Sequence, residues 1–237
     1  MRANILIALF CILVLSMNAQ TRLNLGFTAG PIISWASNDS KFQNDFFKSG
    51  KAGYNAGLSL SIQSGEHFFS RLSTLYSTQI FAISQTSNIN YKIDTRLRFN
   101  QLEIPLVVGF TGFLGSLKHR EYVGAAMSFN LNNSQKFITG DSVTGNDYSL
   151  ATTKLNKAFP LLMAGFEIGS QFKNDGGLFF GINLRYGLNS IYSGSLEASQ
   201  NGIFSIQTPD YRGTYIGIEV TYYLPRFSYW FKREFIY

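Results

Sequence analysis

The sequence predicts an all-β fold, an eight-stranded antiparallel up-and-down transmembrane β-barrel with a polar lumen filled by side chains. Three observations predict it: a short export leader, eight stretches of period-two alternation, and connections that are alternately long and short. The leader comes first. Arg2 precedes an apolar run from Ile5 to Leu15 and the small-residue stretch Ser16-Met17-Asn18-Ala19, the order of a secretory signal peptide. The run falls short of the roughly 20 apolar residues a spanning helix needs. Cleavage after Ala19 makes residues 1–19 a signal peptide and removes Cys11, the chain's one cysteine. Phe10 stands where lipoprotein processing requires a small residue, so no lipid anchor is expected. Without a thiol, disulfides, cysteine nucleophiles and thiolate metal sites are excluded.

Composition points the same way. Of the residues, 45% are hydrophobic, 16% aromatic and only 14% charged, where a soluble domain carries about a quarter charged. No apolar run after the leader is long enough for a spanning helix. An exported, charge-poor, aromatic-rich chain without such a run disperses its apolar residues on alternate positions, as a membrane barrel does. The formal net charge of +6 falls by one with Arg2, a balance suited to lipid phosphates. Nucleic acid is excluded by compartment.

The first strand interleaves Leu23, Leu25, Phe27 and Ala29 with Asn24, Gly26, Thr28 and Gly30. In the second, Tyr54, Ala56, Leu58, Leu60 and Ile62 oppose Asn55, Gly57, Ser59 and Ser61. The third, Phe69 to Gln79, is the least regular, because its outward face carries Ser70 and Thr74 beside Leu72 and Tyr76. The fourth sets Leu102, Ile104, Leu106, Val108 and Phe110 against Gln101, Glu103, Pro105, Val107 and Gly109. The fifth sets Val123, Ala125, Met127, Phe129 and Leu131 against Tyr122, Gly124, Ala126, Ser128 and Asn130. Leu162 to Ile168 form the sixth, Leu178 to Leu188 the seventh and Ile216 to Leu224 the eighth. Each approaches the roughly 9–11 residues that cross a bilayer at a tilt.

Long polar segments join strands one to two (Ser34 to Lys51), three to four (Ala82 to Arg96), five to six (Asn132 to Ala158) and seven to eight (Asn189 to Asp210). Short ones join two to three (Gln63 to Glu66), four to five (Thr111 to Arg120) and six to seven (Lys173 to Gly176). Bacterial outer-membrane barrels have an even strand count, short periplasmic turns and long extracellular loops. The plan predicts an outer-membrane protein with both termini in the periplasm and a barrel over residues 20–224.

Charge decides which face meets lipid. Arg71, Glu103, Glu167, Arg185 and Glu219 share parity with Gly, Ser and Asn. An Arg on the lipid face at mid-bilayer costs about 2–4 kcal/mol, so these five are expected inside, forming a paired network in a plugged lumen. A soluble sandwich or lipocalin-like barrel would instead carry them on a solvated face. Phe27, Trp35, Phe110, Phe129, Phe172, Tyr186, Tyr211 and Tyr222 lie near strand ends, where interfacial girdles are built.

The segment Gln101-Leu102-Glu103-Ile104-Pro105-Leu106-Val107-Val108-Gly109-Phe110 resembles the "LEIPL" fourth strand of the PorT-like, or "porin family", barrels of Bacteroidota outer membranes. Leu25 to Trp35 (LGFTAGPIISW) and Gly53 to Ile62 (GYNAGLSLSI) are similar to that family's first two strands. The resemblance implies an outer-membrane location and, because some members serve secretion or gliding machinery, an accessory role in such a complex. Pro105 withholds a ladder donor and fits a distorted position. The chain departs from the family pattern by continuing past Leu224 into an aromatic and basic tail, 225–237. There Phe227, Trp230 and Phe231 alternate with Arg226, Lys232 and Arg233, which fits a short helical segment on the periplasmic leaflet as well as an unstructured extension.

No catalytic constellation, cofactor motif or metal site is expected. The two histidines, His67 and His119, adjoin short turns, away from the extracellular end where barrel enzymes work. Asp141, Asn146 and Asp147 lack ordered calcium-loop spacing and read as a polar, mobile loop. Expected partners are outer-membrane lipid and lipopolysaccharide, whose phosphates Lys41, Lys48, Lys51, Lys136, Lys154 and Lys157 can meet, and an unidentified envelope protein. A structural or interaction barrel is the leading function class, with a small pore and a lipid-modifying enzyme as alternatives.

Overall fold

The computed structural model describes residues 21–34, 46–86, 92–131, 136–141, 146–172, 176–189, 191–200, 203–207 and 210–225. The leader, Trp35, Lys41 and the tail from Arg226 lie outside the described residues. The strands are β1 (Thr21–Ser34), β2 (Phe46–Ser64), β3 (Phe68–Thr86), β4 (Lys92–Leu114), β5 (Leu117–Asn130), β6 (Lys136–Asp141), β7 (Asn146–Leu155), β8 (Ala158–Gln171), β9 (Gly177–Gly187), β10 (Tyr192–Gln200), β11 (Ile203–Gln207), β12 (Asp210–Tyr211) and β13 (Tyr215–Tyr223). Among the described residues no helix is long and apolar enough to cross a membrane.

Eight strands close a barrel in the order β1-β13-β9-β8-β5-β4-β3-β2. Each neighbouring pair is antiparallel. The ring shuts where β1 meets β13, from Gly26↔Tyr223 to Ser34↔Tyr215. Closure leaves the membrane-crossing part without an unpaired edge, which hydrocarbon requires because it offers no hydrogen bonds of its own. Alternation fixes the faces: Leu58, Leu106, Val123, Phe166, Phe180, Ile182 and Ile218 are exposed outside, whereas Asn55, Ser59, Ser128, Asn183 and Thr221 are buried inside. Phe27, Phe110, Phe129, Phe172, Tyr186 and Tyr222 are also exposed on the outer surface. The irregular third strand keeps its parity, with Leu72, Thr74 and Tyr76 outward and Arg71, Ser73, Leu75 and Ser77 buried.

Three expectations about the connections are corrected. The connection predicted from Thr111 to Arg120 is mostly strand: β4 runs to Leu114 and β5 starts at Leu117. Gly115 takes the left-handed conformation (φ 63°) that such a tight reversal requires. Secondly, β2, β3 and β4, at 19, 19 and 23 residues, outrun the bilayer. Their extensions absorb much of the first two long connections, pairing Phe46↔Gln85 and Thr86↔Lys92 into a three-stranded ledge at the loop end. Thirdly, the described parts of the last two long connections are mostly strands of one sheet instead of loops. β6 and β7 form a hairpin that closes at Asp141↔Asn146, in the segment expected to be a polar, mobile loop. β7 then pairs with β10, and β10 with β11 and β12, giving five strands outside the barrel. Paired backbone satisfies the N–H and C=O groups that an irregular loop leaves to water.

Candidate functional site in the charged lumen

The residues of the predicted network, Arg71, Glu103, Glu167, Arg185 and Glu219, are all buried within the barrel. They form two clusters. Toward the loop end, the Arg185 guanidinium bridges two carboxylates. Its Nη1 donates to Glu103 Oε2 and its Nη2 to Glu219 Oε1, the latter at 2.7 Å. Tyr215 donates its hydroxyl to Glu103 Oε2 at 2.8 Å, and Asn55 Nδ2 donates to Glu219 Oε1 at 2.6 Å. The four strands β2, β4, β9 and β13 are thus tied through one guanidinium and its partners. Burying charge costs several kcal/mol per ion, and these charge-assisted bonds offset that cost.

Toward the turn end, Arg71 Nη1 donates to Glu167 Oε1, and its guanidinium carbon lies 4.8 Å from the centre of the Tyr122 ring. The barrel is narrow enough that these side chains fit only beside glycines. A Cβ on Gly165 would sit 2.4 Å from the Tyr122 ring, and one on Gly181 would sit 2.6 Å from Glu167 Cγ.

Sequence reasoning missed Arg120. It is 2% exposed and is the cross-strand neighbour of Glu167, and its guanidinium is caged by three rings. Its carbon stands 4.0 Å from the centre of Phe179, 4.9 Å from Phe69 and 5.3 Å from Tyr223. Its Nε and Nη1 have no hydrogen-bond partner, so ring faces hold it. The signal is present, since Arg120 shares parity with Tyr122 and Gly124, but it stands at the end of the short connection expected from Thr111 to Arg120. With Arg120 counted, the buried charges among the described residues are three arginines and three glutamates, formally neutral where the five predicted residues alone are not.

Uncharged groups fill the rest. A hydroxyl chain crosses four adjacent strands: Thr221 and Thr28 share a hydrogen bond at 3.0 Å, Thr28 and Ser59 at 2.7 Å, and Ser59 and Ser73 at 2.8 Å. Nearer the loop end, Gln79 Nε2 donates to Gln101 Oε1 at 2.9 Å and Gln101 Nε2 to Asn130 Oδ1 at 3.1 Å. Phe99, Phe159, Ile191, Ile32 and Leu161 are buried around this end. Between the two ionic clusters lie Leu75, Pro105, Val107 and Met163, around a void of about 10 Å³, at the lower limit for one water molecule. Pro105 sits where the ladder between β3 and β4 loses its pairs at Ser73 and Thr74 without a change of register, as a missing N–H dictates.

The histidines lie elsewhere. His67 contacts the Thr111 carbonyl at 3.3 Å through Nδ1, and His119 stacks on Phe166 at 6.2 Å between ring centres. Among the described residues no three His, Cys, Asp or Glu side chains gather to hold a metal. The tail residues Arg226, Phe227, Trp230, Phe231, Lys232 and Arg233 lie outside the described residues.

Comparison with known proteins places this architecture. Among solved structures, the chain is similar to the outer membrane protein OprG from Pseudomonas aeruginosa, at 10% identity over 86% of this chain and 95% of that one, with a TM-score of 0.48. It is also similar to the translocator domain of the autotransporter NalP from Neisseria meningitidis, at 11% identity, 95% and 96% coverage and a TM-score of 0.38. Outer Membrane Protein W of E. coli matches at 12% identity, 88% and 100% coverage and a TM-score of 0.34. A search of the curated proteins returns no match. The model of the outer membrane protein beta-barrel domain matches residues 18–193, most of the chain and all but the last of its barrel strands, and this protein therefore belongs to the outer-membrane β-barrel domain family.

Proposed function

We propose that this protein is a sealed barrel acting as a structural or interaction component of the outer membrane, without enzymatic activity. The observation that carries the reading is the packed lumen, in which two ionic clusters and an apolar layer leave a void of about 10 Å³ between them, too small for a hydrated solute. The three-stranded ledge and the five-stranded sheet at the loop end support a role in presenting a structured surface outside the cell. In this reading the short turns and both termini face the periplasm, as in bacterial barrels generally, and residues 1–19 are removed on export. The exposed Lys157, with the other loop lysines, contacts lipopolysaccharide phosphates. The likeness of Gln101 to Phe110 to PorT-like barrels supports a finer assignment to that Bacteroidota group and service as an accessory to a secretion or surface complex.

Single-channel recording on the reconstituted chain tests the sealed state. The expected trace stays at baseline, and stable openings would instead favour the small-pore reading. Extraction in mild detergent after cross-linking in intact envelopes tests the accessory role, with a discrete co-purifying protein expected and a strictly solitary barrel counting against it.

A further inference from the structure

An ionisable pair interrupts the apolar outer surface of the barrel. The outward positions of β5 carry Leu117, His119, Glu121, Val123, Ala125 and Met127 in that order, so an acid and an imidazole stand with apolar side chains on either side. Glu121 is exposed, and its cross-strand neighbours are Phe110 and Phe166. Four residues at about 3.3 Å each, along a strand tilted by about 40°, raise it about 10 Å above Leu117. That height falls inside an apolar band about 25 Å tall, whose turn end is marked by the exposed Leu114 and Leu117. Ionisable side chains at membrane depth almost always face an interior or pair with another group. Glu121 faces outward, and among the described residues its carboxylate has no hydrogen-bond or ion-pair partner.

His119 holds a fixed place on the same face. Its half-exposed ring stacks on Phe166, 6.2 Å between centres, and lies over Gly112, where any Cβ would strike Cε1 and Nε2. Two residues along such a strand differ in height by about 5 Å. Copies of a barrel enter the membrane in one orientation, so two of them pair about a two-fold axis along the bilayer normal, where each residue contact occurs twice. Facing β5 strands then cross. With the axis near Arg120, Glu121 of each subunit stands one such step above His119 of the partner subunit, and an imidazole N–H donates to a carboxylate across it. The surface is thus complementary to itself: it supplies both acceptor and donor and requires no cation from another protein. Ala125 and Ala164, exposed on β5 and β8, let two such surfaces approach closely. We propose that the β5 face is the interface of a two-fold dimer in the outer membrane, closed by reciprocal hydrogen bonds between His119 and Glu121. The proposal does not depend on a sealed lumen.

The test is sedimentation equilibrium of the full chain, as exported to the outer membrane, in density-matched detergent micelles, with each variant checked for folding by its heat-modified mobility. The wild type is expected to weigh as two chains and to dissociate as detergent is added. Glu121→Leu makes the surface more apolar, yet it is expected to weaken the dimer about tenfold or more, because two hydrogen bonds are lost at once. His119→Leu is expected to match it, and the double variant to be no weaker than either, because the two positions form one contact. If one single variant does not fold, the other carries the test. Exchanging the pair, His119→Glu with Glu121→His, is expected to restore most of the affinity. A strictly monomeric wild type, which leaves Glu121 to lipid headgroups or to a different protein, would overturn the proposal. So would a dimer indifferent to the folded single variants, or losses that simply add in the double variant.

Discussion

The loop-side cluster gives one guanidinium two carboxylates, whereas the turn-side cluster gives two guanidiniums one carboxylate. Arg185 is held by Glu103 and Glu219, and those acids also receive Tyr215 and Asn55. Arg71 has Glu167, while Arg120 rests on Phe179, Phe69 and Tyr223. The barrel thus uses two ways to keep a guanidinium out of water, ion pairing in one place and quadrupole attraction in the other. They differ in what removal leaves behind. Loss of a paired residue strands an opposite charge; loss of a ring-caged residue strands only ring faces.

The largest effect is expected from Arg185→Met, which abandons two buried carboxylates. Its cost should reach the upper part of the about 3–5 kcal/mol range for breaking a buried ion pair, read as a fall in the urea midpoint of the lipid-embedded barrel. Combining it with Glu103→Gln and Glu219→Gln should restore most of the loss, because no net charge then remains unpaired. Glu167→Gln comes next. It leaves Arg71 without its acid but keeps an amide oxygen in the same place, so the loss should lie near about 3 kcal/mol, the low end of that range. The smallest effect belongs to Arg120→Met. A thioether packs well against aromatic rings and carries no desolvation penalty, so a change within about 1 kcal/mol is expected. A loss from Arg120→Met as large as that from Arg185→Met would erase the distinction between the clusters.

Much of this was legible because a β-barrel writes its two faces into alternate residues. Glu103 and Glu219 share parity with Gln101 and Thr221, and the alternative, a charge in hydrocarbon, is costly enough to decide the face from one strand at a time. Arg120 was lost for a local reason: Gly112, Gly115 and Ser116 made the whole stretch resemble a turn, whereas the reversal needs only Gly115 and Ser116 between β4 and β5. The outer sheet was lost for a non-local one. The β7 and β10 ladder joins Tyr192 to Leu155 and Ser199 to Asp147, partners whose pairing depends on the closed barrel bringing two connections together. No periodicity within either connection records that.

Thiol accessibility in the middle of the lumen tests the sealed, inward-facing arrangement most directly. The one native cysteine, Cys11, lies in the predicted leader, so Ser73→Cys in a chain starting at Gln20 gives a single probe beside the central void, and Glu66→Cys gives an exposed control at the turn end. In nanodiscs open to water on both sides, a small charged thiosulfonate reagent is expected to label Glu66→Cys fully while Ser73→Cys stays unmodified until the barrel is unfolded. Labelling of Ser73→Cys at the rate of the control would show that water and ions reach mid-lumen, and would contradict the packed interior on which the account rests.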